Sequence, residues 1–288
     1  MQFTLYRDVH AFHRDTFETL MRHQAQNLII IGNQLIGLNG RDKSGWRDPA
    51  TWIMATVSDA RGVRLTAMMT PPHNIALYAT DNVIDTQAID CLIDGLQDIP
   101  IPGVTSDTAL AEAFADAFTA RRGKTHQITM QQRIYRLDAV NPAIPRIGTL
   151  RPVNEGDMHW FPYWCEAFTA STHYGSTEMS VPQDGDGYRQ LLASGRIHVL
   201  ETDGHPVSMA GFSREIPAAV CVSHVYTPPY FRARGYASSC VAQLSELGLK
   251  RGFSGCVLYT DLANPTSNSI YQKIGYRSVC DSRMLRFI

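Results

Sequence analysis

Residues 223–244 read SHVYTPPYFRARGYASSCVAQL, and this stretch bears most heavily on the fold. Its first part is rich in β-branched and aromatic residues and is typical of a strand, whereas its last part has the apolar spacing of a helix. The segment RARGYA, residues 232–237, opens that helix. Helix N-termini carry unpaired N–H groups and partial positive charge, and Gly235 allows close backbone approach. The loop is therefore a candidate pyrophosphate-binding loop, to which Arg232 and Arg234 would add charge.

The same loop has a simpler interpretation as a strand-to-helix turn in which Gly235 supplies a positive φ. It lacks the Gly-Lys-Ser/Thr ending of a Walker loop, and its single glycine does not fit the dinucleotide-binding fingerprint. On its residues alone, the loop does not decide between the two interpretations.

The residues around this stretch predict a mixed sheet with helices on its faces, an α/β fold of the α+β mixed-sheet type. Predicted strands cover residues 147–152, 196–201, 206–212, 218–227, 256–260 and 277–287. Predicted helices cover residues 155–169, 186–193, 237–250 and 264–273.

The first half predicts a fainter version of the same layout, which indicates a duplication with little residue identity left. Its predicted elements are a helix at 7–24, strands at 51–58, 63–70 and 74–80, helices at 86–96 and 106–121, and a strand at 125–137. Residues 141–145 read NPAIP, and prolines at this density disfavour a helix and indicate a linker. We therefore expect two domains, at residues 1–140 and 146–288.

A second informative segment, NPTSNSIYQKIGY, occupies residues 264–276. It follows the loop after one predicted helix and one predicted strand. Together, the two segments resemble the GCN5-related N-acetyltransferase family, abbreviated GNAT. The resemblance covers roughly residues 146–288 and extends to the first half only as layout.

Two signatures carry this resemblance. The first, Arg/Gln-x-x-Gly-x-Gly/Ala, is matched by Arg232, Gly235 and Ala237. The second, an Asn-to-Tyr-to-Gly-aromatic pattern, is matched by Asn264, Tyr271, Gly275 and Tyr276.

The resemblance implies a V-splayed mixed sheet with acetyl-CoA bound in the opening. Backbone groups of Val225, Tyr226 and Thr227 would hold the pantetheine arm. Asn264 and Asn268 would lie near the pantetheine or the amine. The pyrophosphate would be wrapped by the loop residues Arg232, Ala233, Arg234, Gly235, Tyr236 and Ala237.

The resemblance also makes Tyr271 the acid that protonates the leaving thiolate. A phenol of pKa ~10 is matched to a thiol leaving group, and general acids contribute about 10²–10⁴-fold. Without the family context, Tyr271 would be interpreted as a helix aromatic packed in the core.

The general base has several candidates. His224 has a suitable ordinary pKa of ~6.5, and strand alternation places it on one face with Val222 and Tyr226. Its alternative interpretation is a packed histidine with a satisfied hydrogen bond. Glu215, at a turn before the strand, is the second candidate, and a water chain without a single base is the third.

The acceptor side is less defined. Residues 171–174 read STHY and would either line a pocket or form an ordinary surface loop. The aromatic residues on the preceding predicted helix are interpreted as core, because helical spacing of this kind usually marks packing. They are Trp160, Phe161, Tyr163 and Trp164.

Composition excludes other classes. The chain has 26 basic and 27 acidic residues and net charge −1, which argues against a nucleic-acid partner held by phosphate neutralisation. Six cysteines without a CxxC pair, no leader segment and no apolar stretch of spanning length predict a cytoplasmic protein with free thiols and no membrane contact. Cys240 and Cys256 fall within a helix and a strand and do not fit acyl-carrying nucleophiles. No metal-ligating pattern occurs, so no metal is expected.

The first half lacks the Arg-x-x-Gly-x-Gly/Ala signature, and Asp81 and Asp85 stand where carboxylates would oppose a pyrophosphate. It is predicted to be a degenerate GNAT-like domain, or an unrelated helper domain, beside a catalytic second half. The sequence thus predicts an acetyl-CoA-dependent N-acetyltransferase, monomeric or homodimeric, that acts on a small-molecule primary amine. A non-catalytic acyl-CoA sensor and a protein or peptide N-acetyltransferase are the alternatives.

Overall fold

The computed structural model describes residues 1–40, 48–172 and 185–288, which form two compact units. Unit 1 comprises Met1–Ile134 and Val279–Ile288, and unit 2 comprises Tyr135–Ser278. The predicted linker at residues 141–145 lies within unit 2, close to its N-terminal border. The last strand of the chain, which the sequence assigned to the second domain, belongs mostly to unit 1.

The first half of the chain contains six strands and four helices among its described residues. They are β1 Gln2–Tyr6, α1 Val9–Met21, α2 Leu28–Asn39, β2 Ile53–Asp59, β3 Gly62–Met69, β4 Ile75–Ala79, α3 Thr86–Gly95, β5 Gly103–Asp107, α4 Thr108–Arg122 and β6 His126–Leu137.

The second half repeats this order element by element in its described residues. Its elements are β7 Thr149–Pro152, α5 Phe161–Thr172, α6 Gly185–Ala193, β8 Ile197–Thr202, β9 His205–Ile216, β10 Ala219–Tyr226, α7 Tyr236–Lys250, β11 Gly255–Asp261, α8 Pro265–Ile274 and β12 Arg277–Phe287.

Three elements of the first half were not predicted: strand β1, helix α2 and strand β5. Helix α2 reads LIIIGNQLIGLN and has no polar face, so the usual amphipathic signal is missing. Strand β5 reads GVTSD and has a single strongly apolar residue, Val104, which is too little for a strand pattern.

Strand β12 completes the core of unit 1. It pairs antiparallel with β5 from Ser282↔Asp107 to Arg286↔Gly103. The ring of Phe287 stacks on that of Phe118 of α4 with a centroid distance of 4.4 Å. Leu285 and Phe287 are buried in the cluster that also contains the apolar faces of α3 and α4. Strand β12, which follows the other elements of the second half along the chain, therefore completes unit 1.

The sheet of unit 2 separates two apolar clusters. The inner end of β6, at Tyr135 and Leu137, is buried with residues of β9, β10, α7 and α8 in the first cluster. The second cluster lies under α5 and α6 and includes Phe161 and Tyr188. In strand order, unit 2 runs β11-β10-β9-β8-β7, with β10 parallel to β11 and antiparallel to β9.

Candidate active site

Strand β10 leaves regular pairing before it enters the loop. Its parallel ladder with β11 runs from Ala219↔Gly255 to Cys221↔Val257, and no later pair joins the two strands in the described part of the chain. The two strands therefore splay apart beyond Cys221, and backbone groups of β10 face the opening. This geometry confirms the V-splayed sheet that the resemblance implied.

A β-bulge interrupts the other edge of β10. The pairs Ser223↔Gly211 and Tyr226↔Met209 leave two residues of β10 opposite one residue of β9. The bulged residue His224 has φ 53°, in the left-handed region that few non-glycine residues adopt. The extra residue turns the strand just before the loop.

The bulge reverses the side-chain alternation. Val222 packs in the cluster with α7, whereas His224 and Tyr226 both contact α5. The ring centroids of His224 and Phe168 are 5.2 Å apart, and the ring centroids of Tyr226 and Trp164 are 5.9 Å apart. The prediction that Val222 shares a face with both is therefore wrong, because an inserted residue shifts the two-residue period by one.

The loop at residues 232–237 presents backbone N–H groups to solvent. Ala233 and Gly235 adopt φ 61° and 83°, and no described side chain caps the N-terminus of α7 that follows. Left-handed residues alternating with others make concavities that bind anions. A Cβ atom on Gly235 would lie 3.2 Å from Cδ1 of Ile147, so both φ and space favour glycine there.

Arg232 connects this loop to the residue that follows β10. Its Nε donates a hydrogen bond of 3.0 Å to the carbonyl oxygen of Thr227. The hydroxyls of Thr227 and Ser208 lie 2.8 Å apart, and the Ser208 hydroxyl also donates to the carbonyl of Tyr226. The strand end and the loop start are thus tied together. This bond gives Arg232 a positioning role in addition to the charge that the sequence suggested.

The remaining loop residues pack around the turn. The guanidinium of Arg234 lies 5.0 Å above the exposed ring of Tyr230, and the ring of Tyr236 meets the edge of Phe231. Ala237 is half-buried in the first turn of α7, and Val225 is half-buried against the α7 cluster.

The asparagines of the second signature hold α8 in place. The side chain of Asn264 caps the helix by accepting from the N–H of Ser267 at 3.0 Å. The Asn268 amide donates to the carbonyls of Asp261 and Asn264 at 2.9 and 2.8 Å and accepts from the Tyr135 hydroxyl at 3.2 Å. Both side chains are thus engaged within the protein, and a contact with the pantetheine arm stays a prediction.

Tyr271 of α8 is buried in the apolar cluster that also contains Tyr135 and Tyr276. Its ring centroid lies 6.5 Å from that of Tyr135 and 6.0 Å from that of Tyr276. Burial raises the pKa of Tyr271 to about 12. The phenol therefore stays protonated throughout the physiological range, which is the state that a proton donor requires.

The two candidate bases lie near different ends of β10, His224 on β10 itself and Glu215 on the neighbouring strand β9. Nδ1 of His224 is buried and has no hydrogen-bond partner among the described residues. Burial lowers the pKa of His224 below its ordinary 6.5, so the imidazole is neutral at pH 7. Glu215 is exposed and sits opposite Val220, close to the β9–β10 hairpin turn. The structure thus brings His224, and not Glu215, to the splayed end of the strand.

The buried thiols fit the expectation that they carry no acyl group. Burial raises the pKa of both Cys240 and Cys256 to about 12. A thiol nucleophile reacts as the thiolate, which is scarce at neutral pH for such groups.

Helix α5 divides its aromatic residues between core and surface. Phe161 is fully buried, whereas Tyr163 is 70% exposed. Trp160 and Trp164 are partly buried, with ring centroids 4.4 Å apart. The core interpretation thus holds for Phe161 but not for Tyr163. His173 and Tyr174, predicted beside them, lie outside the described residues.

Two contributors were missed at the sequence level. Phe168 stacks on His224, and its position one helical turn after Trp164 could have indicated it. Tyr135, which bonds Asn268, lies far away along the chain, so no local pattern points to it.

Helix α3 is the element of the first half that corresponds to α7, and its N-terminus is capped by a side chain. Helix α3 is capped by Asp85, whose carboxylate accepts from the N–H groups of Gln87 and Ala88 at 3.0 and 3.2 Å. Asp81, with φ 56°, lies 3.5 Å from the Arg22 guanidinium. At α3 an aspartate already occupies N–H groups that at α7 are left uncapped.

Within the described residues, no helix is both long enough and apolar enough to cross a bilayer.

The family comparison agrees with this geometry. Residues 161–276 match the model of the Acetyltransferase (GNAT) family. The part of the chain that is similar to this family model contains the loop, the splayed strands and Tyr271. No curated protein matches the chain significantly.

Solved structures share the fold across the whole chain. An acetyltransferase of the GNAT family from Colwellia psychrerythraea is 10% identical, with a TM-score of 0.55 over 100% of this chain and 99% of that chain. A GCN5-related N-acetyltransferase from Sphaerobacter thermophilus is 14% identical, with a TM-score of 0.56 over 99% and 95%. A Drosophila protein is 12% identical, with a TM-score of 0.67 over 99% and 98%. At these identities the likeness shows the fold.

Proposed function

We propose that this chain transfers the acetyl group of acetyl-CoA to the primary amine of a small molecule by direct attack. One observation carries the proposal: an uncapped helix N-terminus, preceded by a left-handed loop, opens beside two strands that splay apart. Backbone donors at such a helix start suit a pyrophosphate, and the open edge of β10 suits an extended amide-containing arm.

The residues fit an acyl-CoA donor. Gly235 keeps the loop clear of a side chain, and Arg232 fixes the loop to the end of β10. Arg234 adds charge beside the helix start. Bound acetyl-CoA would supply an activated acetyl group as a thioester.

The chain's own groups would then move two protons. The acceptor nitrogen gives up a proton to His224 or to water, and a nitrogen–carbon bond forms as the carbon–sulfur bond breaks. The Tyr271 hydroxyl supplies the proton that the departing sulfur takes, and solvent restores both groups afterwards. The protonated phenol and the neutral imidazole are the states that these roles need.

The first half would serve as a supporting domain without its own acyl-CoA. The Asp85 carboxylate occupies the N–H groups at the start of α3 and would repel a pyrophosphate there.

The test is an assay of CoA release from acetyl-CoA with a panel of amines and basic peptides. Turnover with a small amine supports the proposal. Saturable binding of acetyl-CoA without release of CoA on any amine would instead favour a sensor, and turnover confined to peptides would favour a peptide transferase. A folded sample that binds no acetyl-CoA would overturn the proposal entirely.

A further inference from the structure

Four aromatic side chains pack in two pairs between α5 and the end of β10, and we call this group the aromatic wall. It consists of Trp164, Phe168, His224 and Tyr226. Trp164 and Phe168 are one helical turn apart on α5, while His224 and Tyr226 lie on one face of β10 because of the bulge. All four side chains are only partly buried, so each keeps accessible surface.

The wall is held in position by a partly buried ionic cluster. Arg151 forms ion pairs with Asp157 at 2.7 Å and with Glu201 at 2.6 Å. Asp157 also accepts a hydrogen bond from Nε1 of Trp160 at 3.2 Å, and the ring of Trp160 packs against Trp164. Fixing an aromatic surface in advance lowers the entropic cost of binding a ligand.

The wall carries no formal charge while His224 is neutral. The acidic side chains on the described parts of α5, β8, β9 and β10 are occupied or distant. Glu166 accepts from the Tyr188 hydroxyl at 3.1 Å, Glu201 is paired with Arg151, and Glu215 lies near the hairpin turn. A polycationic or strongly hydrated acceptor would gain little from such a surface, because charged groups need paired charges when they leave water.

An aromatic body suits the wall better. Aromatic rings gain from burial and from edge or offset contacts with other rings. The ring of His224 stacks on Phe168, and its buried Nδ1 has no hydrogen-bond partner among the described residues, so no protein hydrogen bond competes at that nitrogen.

We propose, on the basis of the function above, that the acceptor is a primary amine carried by an uncharged aromatic body, whose ring packs on the aromatic wall with the nitrogen toward His224. The chemistry of transfer is unchanged. The wall selects the body of the acceptor, and the splayed end of β10 receives its nitrogen.

The experiment measures kcat/KM for CoA release with 2-phenylethylamine, 2-cyclohexylethylamine and putrescine. We expect 2-phenylethylamine to be preferred over the cyclohexyl analogue by roughly threefold to tenfold, the gain typical of ring pairs, and over putrescine by more. Preference for putrescine, or equal use of the two ring compounds, would overturn this inference but leave the transferase proposal intact. No turnover with any amine would overturn both.

Substitutions in α5 test whether the preference for an aromatic amine depends on the aromatic wall. Phe168→Leu and Trp164→Leu should each raise KM for 2-phenylethylamine by roughly threefold to tenfold and leave KM for acetyl-CoA unchanged. Tyr163→Leu is the matched control, because Tyr163 is exposed on the same helix, and it should change neither constant. Thermal melting checks that each variant folds, and Trp164→Phe should restore the wild-type KM. An unchanged KM in both folded leucine variants contradicts the assignment of the wall.

Discussion

At the scale of single residues, Tyr271 shows how burial sets a chemical role. The residue is packed among aromatic side chains, and burial raises its pKa to about 12. Tyr271→Phe keeps the ring and removes only the hydroxyl group that donates the proton. We expect kcat to fall by about 10²–10⁴-fold while the melting temperature and the Kd for acetyl-CoA hold. A fall of less than threefold in kcat would show that the thiolate takes its proton from elsewhere.

His224 should set the acid limb of the pH profile. Its pKa is lowered by burial, and only the neutral ring accepts a proton. We therefore expect kcat/KM to be flat above pH 6.5 and to fall as the pH drops through the lowered pKa. His224→Asn tests this, because asparagine tolerates the left-handed backbone of the bulge. The acid limb should vanish and the rate should fall, whereas an unchanged profile would assign the base to water.

The residues of the site could be predicted only in part from the sequence. The loop and Tyr271 could be singled out because their signatures are contiguous or lie within one helix, and their roles stay predictions. The prediction that His224 shares a face with Val222 was wrong. The bulge depends on pairing with β9, so it cannot be recognised from the residue alternation of one strand. The engagement of Asn268 with Tyr135 was missed because these residues are distant in the chain and meet only in the folded core.

At the scale of elements, the start of α7 should decide donor binding. Gly235→Asp introduces a side chain, an unfavourable φ and a negative charge at the N-terminus. A donor at 100 times its Kd should stabilise the wild type by about 2.7 kcal/mol, and this gain should disappear in the variant. The measurement is thermal unfolding with and without acetyl-CoA.

The control is Gly204→Asp, in the turn between β8 and β9. Gly204 also has a positive φ, 73°, and none of the described residues has an atom within 4 Å of an added Cβ. This variant should show similar backbone strain and keep the full stabilisation by acetyl-CoA. Loss of that stabilisation in both variants would mean that strain, and not the loop, explains the result.

Helix α3 offers the contrasting case. Asp85→Ala removes the cap and should lower the free energy of unfolding by about 1 kcal/mol, measured by urea titration. Asp94→Ala, at an exposed acid of the same helix paired with Arg121, should cost less. Neither change should alter the Kd for acetyl-CoA. A second binding event in Asp85→Ala would show that the first half has kept a donor site.

Most elements followed from the sequence, and two of the three misses, α2 and β5, have the same cause. Strand and helix patterns are recognised by a polar face that alternates with an apolar one. Helix α2 buries its polar residues Asn33 and Gln34 together with its apolar ones, and β5 is short and polar, so neither shows that contrast.

At the scale of the whole molecule, the domain boundary predicted from the sequence, between residues 140 and 146, does not coincide with the boundaries of the two compact units. A fragment of residues 146–288 carries β12 without β5 and lacks Tyr135 and Leu137, which are fully buried in unit 2. We expect this fragment alone to melt well below the full chain in circular dichroism. Mixing it with a fragment of residues 1–145 should restore cooperative melting. A fragment 146–288 that melts like the full chain would contradict the unit assignment.

The pairing of β12 with β5 also constrains how the protein is made. Ser282 pairs with Asp107, and the strand that contains Ser282 is synthesised after helix α8. Domains generally fold during synthesis in the order in which they appear. Here the unit that is translated first lacks strand β12 until the preceding elements of the second half have been made, so it stays incomplete during their synthesis. Slowing the translation of the second half would prolong the time that unit 1 spends without β12. We expect a chaperone to bind the N-terminal portion of the nascent chain during that time.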